Sequence, residues 1–302
     1  MVNSIYLCLN SNKEQAHLVA DEISNTAQMH NVQVVEKVED SDCVVTIGGD
    51  GTFLYGTRLA LRNNKAIAGI NLGRFGFLPS FPSNNVEVLF ESLKNSQPQT
   101  RCVLDIDFSN GRYNAINEVV IERKRVQRAA RITMISSPPV FGELQREINI
   151  QDSNERSKFI LNEMEDVIEG YSEYIDDKGR ASQGPTFVCD GVIVSTPLGS
   201  TAYSSSAGGP AISPYSNVMS LTMVALHHPR IPPVVLTNNE NLYLVAEEEC
   251  VLVADGQHIG DLGPGEPIRI CVGSKGIPVY ERPASVLSKL AHAFGADRLS
   301  SL

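Results

Sequence analysis

Three places in the chain carry side chains whose types and spacing suit work on a phosphorylated ligand. The first is Gly48-Gly49-Asp50-Gly51-Thr52. Glycines let a backbone approach phosphate oxygens closely. An aspartate beside bound phosphates can accept a proton from a hydroxyl as that hydroxyl attacks. The same aspartate is also a favoured helix cap, its carboxylate accepting from first-turn amides, and both readings stand. The second place is Asn117-Glu118 in AINEVVIE. An asparagine amide matches the donor and acceptor on an adenine edge, and a glutamate suits a ribose diol; the plainer reading is a turn-forming Asn followed by a surface Glu. The third is CDGVIVSTPLGSTAYSSSAGGP, residues 189–210. Asp190 and Gly191 open a strand. Ser200, Thr201, Ala202, Tyr203, Ser204, Ser205 and Ser206 then lead into a short helix whose first amides suit an anion or a ribose. So many small residues in a row suggest a flat nucleotide lying against the backbone.

The elements around these residues say how they are held. Val44, Val45 and Ile47 read as a buried parallel strand, and Phe53, Leu54, Leu59 and Leu61 follow at helical spacing. Asp50 therefore sits at a strand-to-helix turn, where open α/β sheets bind ligands. The first hundred residues alternate: SIYLCLN strand, KEQAHLVADEISNTAQMH helix, VQVVEKV and DCVVTIGG strands, a helix over 51–62, AIAGIN strand, and NNVEVLFESLKN helix. That alternation predicts a parallel sheet with helical layers. After Arg101, short strands follow without helices between them, from RCVLDIDF to IPVYE, which predicts a β-rich second domain. YNAINEVVIE reads as one strand, with Asn117 and Glu118 on opposite faces. In PASVLSKLAHAFG, Val286, Leu287, Leu290 and Phe294 share a helical face, so a terminal helix is expected to pack back on the first domain. The predicted domains are 1–100 with 282–302, and 101–281. Within the second, Ile160, Met164, Val167, Tyr171 and Tyr174 mark an amphipathic helix over about 154–176, inside an acidic insertion at about 142–182.

The chain has 302 residues, is 42% hydrophobic and carries a net charge of −10. Residues 143–177 hold eleven acidic against three basic side chains, a net of −8. That balance argues against nucleic acid or a membrane surface as the partner. The six cysteines sit mostly in apolar runs with no C-x-x-C pair, the pattern of buried thiols in a reduced compartment. No run approaches transmembrane length and no leader stands at the start, so a cytoplasmic protein is expected.

Together, GGDGT at 48–52, NEVVI at 117–121 and DGVIVSTPLGSTAY at 190–203 resemble the NAD kinase family. AGINLGRFGFL at 68–78 and DGQ at 255–257 resemble further family stretches, and the matches keep the family's order over about residues 42–275. GGDGT alone is shared with lipid and sugar-phosphate kinases, but the glycine-rich P-x-G-T-x-N-like stretch that follows it in lipid kinases is not found. A dinucleotide-binding regulator without catalysis is the other rival. The resemblance implies an N-terminal Rossmann-like α/β domain, a C-terminal β-sandwich, an active site in the cleft between them, and a homodimer or homotetramer. It implies ATP-dependent phosphorylation of NAD at the adenosine 2′-hydroxyl, with Mg²⁺ or another divalent metal accompanying ATP and no dedicated protein metal cluster. Asp50 would be the base. Gly51, Phe77, Asn117, Glu118, Arg128, Asp190, the run Thr201–Ser206 and Gln257 would hold NAD. Gly48, Gly49, Gly51, Thr52 and His228 would hold ATP phosphates; His227 or His228 stands in LHHPRIPPVVL where the family has a histidine near the phosphates. The insertion of about fifty residues before TFVCDG departs from the family.

Overall fold

The computed structural model describes residues 2–73, 78–137, 148, 150–169, 185–227, 230–282, 287 and 291. The chain divides into two compact units, Met1–Arg101 with Gly276–Leu302, and Cys102–Lys275.

The first unit is built on one sheet. Its strands are β1 (Ser4–Leu9), β2 (Gln33–Val35), β3 (Cys43–Gly48), β4 (Ala66–Asn71), β5 (Phe81–Pro82), β6 (Gln99–Arg101) and, from the far end of the chain, β19 (Ile277–Tyr280). The order is β2-β1-β3-β4-β19-β6, with β5 also on β4. Every pairing is parallel except that of β19 with β6. All six residues of β3 are buried, as the apolar run requires of a central parallel strand. The helices are α1 (Glu14–Met29), α2 (Asp50–Arg62) and α3 (Glu87–Asn95). α1 buries Ala16, Val19, Ala20, Ile23 and Ala27, the stripe that 3.6 residues per turn places on one face. The sequence puts IPVYE in the β-rich part, but β19 belongs to this sheet. Arg101, buried, and Glu281, half-buried, pair beside it. The expected terminal helix falls outside the described residues apart from Leu287, which is exposed, and Ala291.

The second unit is a sandwich of two antiparallel six-stranded sheets. One runs β11 (Thr186–Cys189), β10 (Ala130–Ser136), β15 (Asn241–Ala246), β18 (Pro267–Val272), β7 (Leu104–Phe108), β8 (Gly111–Ala115). The other runs β14 (Val234–Thr237), β13 (Val218–Val224), β12 (Gly191–Ser195), β9 (Glu118–Arg123), β16 (Cys250–Ala254), β17 (Gln257–Leu262). Alternate residues point inward. Leu104, Ile106, Ile268 and Ile270 of the first sheet share a core with Val119, Ile121, Val194 and Leu252 of the second. Two stretches that read as single strands are each broken. YNAINEVVIE leaves one sheet as β8 and enters the other as β9, and TFVCDGVIVST does the same as β11 and β12. The breaks fall at Ile116–Asn117 and at Asp190, both candidate site positions. QHIGDL, unassigned from sequence, is β17.

The amphipathic helix is α4 (Ser153–Glu169). Ile160 and Met164 are buried against Ile135, Ile148 and Tyr243 on the outer face of the first sheet. Charges fix it there as well. Arg269 on β18 bonds Asp107 at 3.1 Å and Glu163 of the helix at 3.2 Å. Tyr171 and Tyr174 lie outside the described residues, as do 142–147 and 170–182 of the expected insertion. The six cysteines are free thiols, five of them buried. No helix among the described residues is long and apolar enough to cross a membrane.

Candidate active site

In the first unit the site is the turn from β3 into α2, at the carboxyl edge of the parallel strands. The helix is capped by Gly49, in extended conformation with φ −104°, whose carbonyl accepts the amides of Thr52 and Phe53 at 3.1 and 3.0 Å. Asp50 is therefore the first helical residue, one position inside the cap. Its Oδ1 accepts the Leu78 amide at 3.1 Å, from the loop that returns after β4. That contact fixes the carboxylate's orientation from outside its own helix. The three glycines differ. A Cβ on Gly48 would stand 2.2 Å from Thr52 Oγ1, so that glycine is needed for internal packing. Cβ atoms on Gly49 and Gly51 would meet nothing within 4 Å, and neither has a positive φ. Among the described residues nothing in the packing requires these two, and they leave open space on both sides of Asp50. Phe77 lies outside the described residues.

In the second unit the site is the break between β8 and β9. Asn117 and Glu118 are 9% and 8% exposed, yet Asn117 Oδ1 and Glu118 Oε2 are buried with no hydrogen-bond partner among the described residues. Leaving such acceptors unpaired is costly unless something fills the role. The Tyr203 backbone amide donates to the Glu118 carboxyl, so the one-turn helix α5 (Tyr203–Ser206) spends its leading amide inside the protein. Burial, and then the Asp255 carboxylate, push the Glu118 carboxyl up to about 7 from 4.5, with the Tyr203 amide opposing them.

Asp255 was missed from sequence as a site residue. It opens the two-residue turn between β16 and β17, with φ +47° followed by Gly256 at +74°, the geometry of an Asp-Gly hairpin turn. Its Oδ1 lies 3.1, 2.7 and 3.3 Å from the amides of Ile116, Asn117 and Glu118. Those are amides a continuous strand would give to a ladder, which is why YNAINEVVIE breaks here. Gln257 follows the turn and is exposed.

The small residues of the third motif have a packing reason. A Cβ on Gly199 would stand 2.1 Å from the Asn117 carbonyl oxygen. Ser204 is fully buried and bonds Thr222 at 3.1 Å. The Ser200 hydroxyl donates to Pro197 O at 2.7 Å and accepts from the Ile212 amide at 3.0 Å. The 199–204 segment thus lies close on the break at Asn117. Thr201, Ala202 and Ser205 are half-buried, and Tyr203 and Ser206 exposed. Asp190 is held by Arg123, Nε to Oδ1 at 3.0 Å and Nη2 to Oδ2 at 3.1 Å. Arg128 is exposed and lines a cavity of about 500 Å³ with Arg123, the partner of Asp190, and with Arg125 and Glu247–Glu249. His228 lies outside the described residues.

A parallel sheet with a glycine-lined turn at its carboxyl edge, followed by an antiparallel sandwich, defines a nucleotide-handling α/β-plus-β class of protein. Residues 5–97 match the family described as ATP-NAD kinase N-terminal domain, and residues 163–281 the ATP-NAD kinase C-terminal domain. The NAD kinase of Wolinella succinogenes is 31% identical over 263 residues, covering 84% of this chain and 73% of that protein. NAD kinase 1 of Streptomyces coelicolor is 32% identical over 254 residues, covering 80% and 67%. The fold is shared with yeast NADH kinase complexed with NADH, at a TM-score of 0.75 and 18% identity over 100% of this chain and 89% of that one. It is shared also with an NAD kinase from Archaeoglobus fulgidus in complex with ATP, at 0.67 and 21% over 98% of each. The chain belongs to the NAD kinase family.

Proposed function

We propose that this chain transfers the γ-phosphoryl group of ATP to the 2′-hydroxyl of the adenosine ribose of NAD, giving NADP. The observation that carries the reading beyond family membership is the pair of buried acceptors at Asn117 and Glu118 that have no partner among the described residues. A ligand bearing an amine edge and ribose hydroxyls supplies what both lack. Asn117 takes the adenine and Glu118 a ribose diol, with Tyr203, Thr201 and Gln257 around them. Asp190 acts with Arg123 as one ion pair rather than as a free carboxylate.

Phosphoryl transfer needs positioning and charge neutralisation more than covalent chemistry. Gly49 and Gly51 admit phosphate oxygens to the start of α2, whose amides and dipole favour them. Asp50, oriented by the Leu78 amide, accepts the 2′-hydroxyl proton as its oxygen attacks the γ-phosphorus; the phosphorus–oxygen bond to ADP breaks and ADP leaves with that electron pair. A hard oxygen donor is what Mg²⁺ brought with ATP would take from a protein, and the Asp50 carboxylate is the one this turn offers; such a metal would supply charge neutralisation to the phosphates. The same reading has the chain cytoplasmic and a homodimer or homotetramer, which sedimentation velocity checks.

The test is an initial-rate panel with NAD or NADH as acceptor and Mg-ATP or polyphosphate as donor, beside a diacylglycerol arm. NADP formation is the expected outcome. Phosphorylated lipid, or NAD binding without turnover, would overturn the assignment.

A further inference from the structure

Ile116, Asn117 and Glu118 belong to no regular pairing at their amides, yet every backbone polar group of the three is accounted for. The three amides go to the Asp255 carboxylate, with Oδ2 adding a second contact to Ile116 N at 3.0 Å. Thr196 takes the first two carbonyls, its hydroxyl donating to Ile116 O and its amide to Asn117 O at 2.8 Å. The Asp255 amide donates to the third, Glu118 O, at 3.0 Å. One residue thus grips this segment by both its side chain and its main chain. The grip is what permits two side-chain acceptors to stay buried with no partner among the described residues, since a loosely held segment would rotate them to water.

We propose that Asp255 is a positioning residue for the dinucleotide site, its carboxylate gathering the amides of Ile116, Asn117 and Glu118 so that the Asn117 and Glu118 side chains are presented to NAD. The inference rests on the proposed role of those two residues. A carboxylate is required rather than any acceptor. Both of its oxygens receive amide hydrogens, so an asparagine at 255 would turn an NH₂ group toward the Ile116 amide, donor against donor. Charge-assisted bonds are also roughly twice as strong as neutral ones. The groups facing Glu118 are Asp255 from the β16–β17 turn and Tyr203 from α5. Removing the Asp255 charge therefore eases ionisation of Glu118 as well as loosening the segment.

The test uses full-length Asp255→Asn and Asp255→Ala proteins, the first isosteric and so guarding against collapse of the second. Three readouts are taken: steady-state kinetics toward NAD and ATP, the pH profile of the NAD KM, and hydrogen exchange of the amides at 116–118. The expected result is a rise of roughly tenfold or more in the NAD KM with the ATP KM unchanged and kcat little altered. Faster exchange at 116–118 should accompany it, and the inflection in the NAD KM profile should move to lower pH. A merely structural role would lower activity toward both substrates and leave that inflection in place. An unmoved NAD KM in folded Asp255→Asn, with the wild-type protein turning over NAD, would remove Asp255 alone. Absence of NADP formation by the wild-type protein would instead remove the reading of the site itself.

Discussion

Glu118→Gln isolates the electrostatic strain stored in the second unit. The carboxyl is 8% exposed and faces Asp255, and its folded-state value is held up to about 7 against an ordinary 4.5. Below pH 4.5 the side chain is protonated both folded and unfolded, and nothing is lost. Between 4.5 and about 7 the unfolded chain releases its proton while the folded one retains it. Stability then falls by about 1.4 kcal/mol per pH unit from this group. Above about 7 both states are ionised and the penalty is constant. The full loss across the window is about 3 kcal/mol. Glutamine keeps the shape, carries no proton to lose and can still accept the Tyr203 amide through its oxygen. Urea unfolding at several pH values from about 4 to about 8 should find the variant and the wild-type protein close together in acid, with the variant ahead by up to about 3 kcal/mol at the alkaline end. A gap that stays flat with pH, or that widens toward acid, would refute the argument. The same substitution should raise the NAD KM, because a charged acceptor for the ribose is gone.

Asp50→Asn should leave the helix start intact, because Gly49 holds the cap position, and should lower kcat by about 10²- to 10⁴-fold in a stopped NADP assay. Gly51→Ala should stabilise α2 by up to about 1 kcal/mol in thermal melts while raising the ATP KM, since a methyl would enter open space where phosphates are placed. Gly48→Ala should instead destabilise, because its methyl would meet Thr52 Oγ1 at 2.2 Å. Ile160→Ala should cost about 2–5 kcal/mol of stability by chemical denaturation, with both KM values unchanged, because the residue is buried between α4 and the sheet and touches no proposed site residue.

Much of the first unit can be read from the sequence because its signals are local. β3 is an unbroken apolar run and α1 a regular stripe, and neither needs a distant partner to be recognised. The second unit is harder where strands change sheets. The alternation of YNAINEVVIE continues through Ile116 and Asn117 as if one strand ran on. What breaks it is a carboxylate on Asp255, remote in the chain. Asp-Gly is legible as a turn, but no local pattern announces that its side chain reaches another hairpin. Gly199 and the serines after it look ligand-facing for a related reason. Small residues serve close packing and close ligand approach alike, and the Asn117 carbonyl against Gly199 is a contact that spacing does not encode. At Asp50 the sequence leaves capping and catalysis open. The backbone gives the cap position itself to Gly49.

The late strand β19 has a consequence for how the molecule is made. It pairs with β4 at Ile67 and Ala68 on one side and with β6 at Gln99–Arg101 on the other. A ribosome releases β1 through β6 first, then the whole of residues 102–275, and only then the strand that belongs between β4 and β6. The sandwich is contiguous in the chain and can close as soon as its last strand emerges. The unit that starts translation first must wait, holding the edge of β4 at Ile67 and Ala68 unpaired throughout. Exposed apolar edges of that kind invite pairing with other chains. Slowed elongation or premature termination within 102–275 should therefore leave an aggregation-prone N-terminal fragment, even though that fragment already carries the entire Gly48–Thr52 turn.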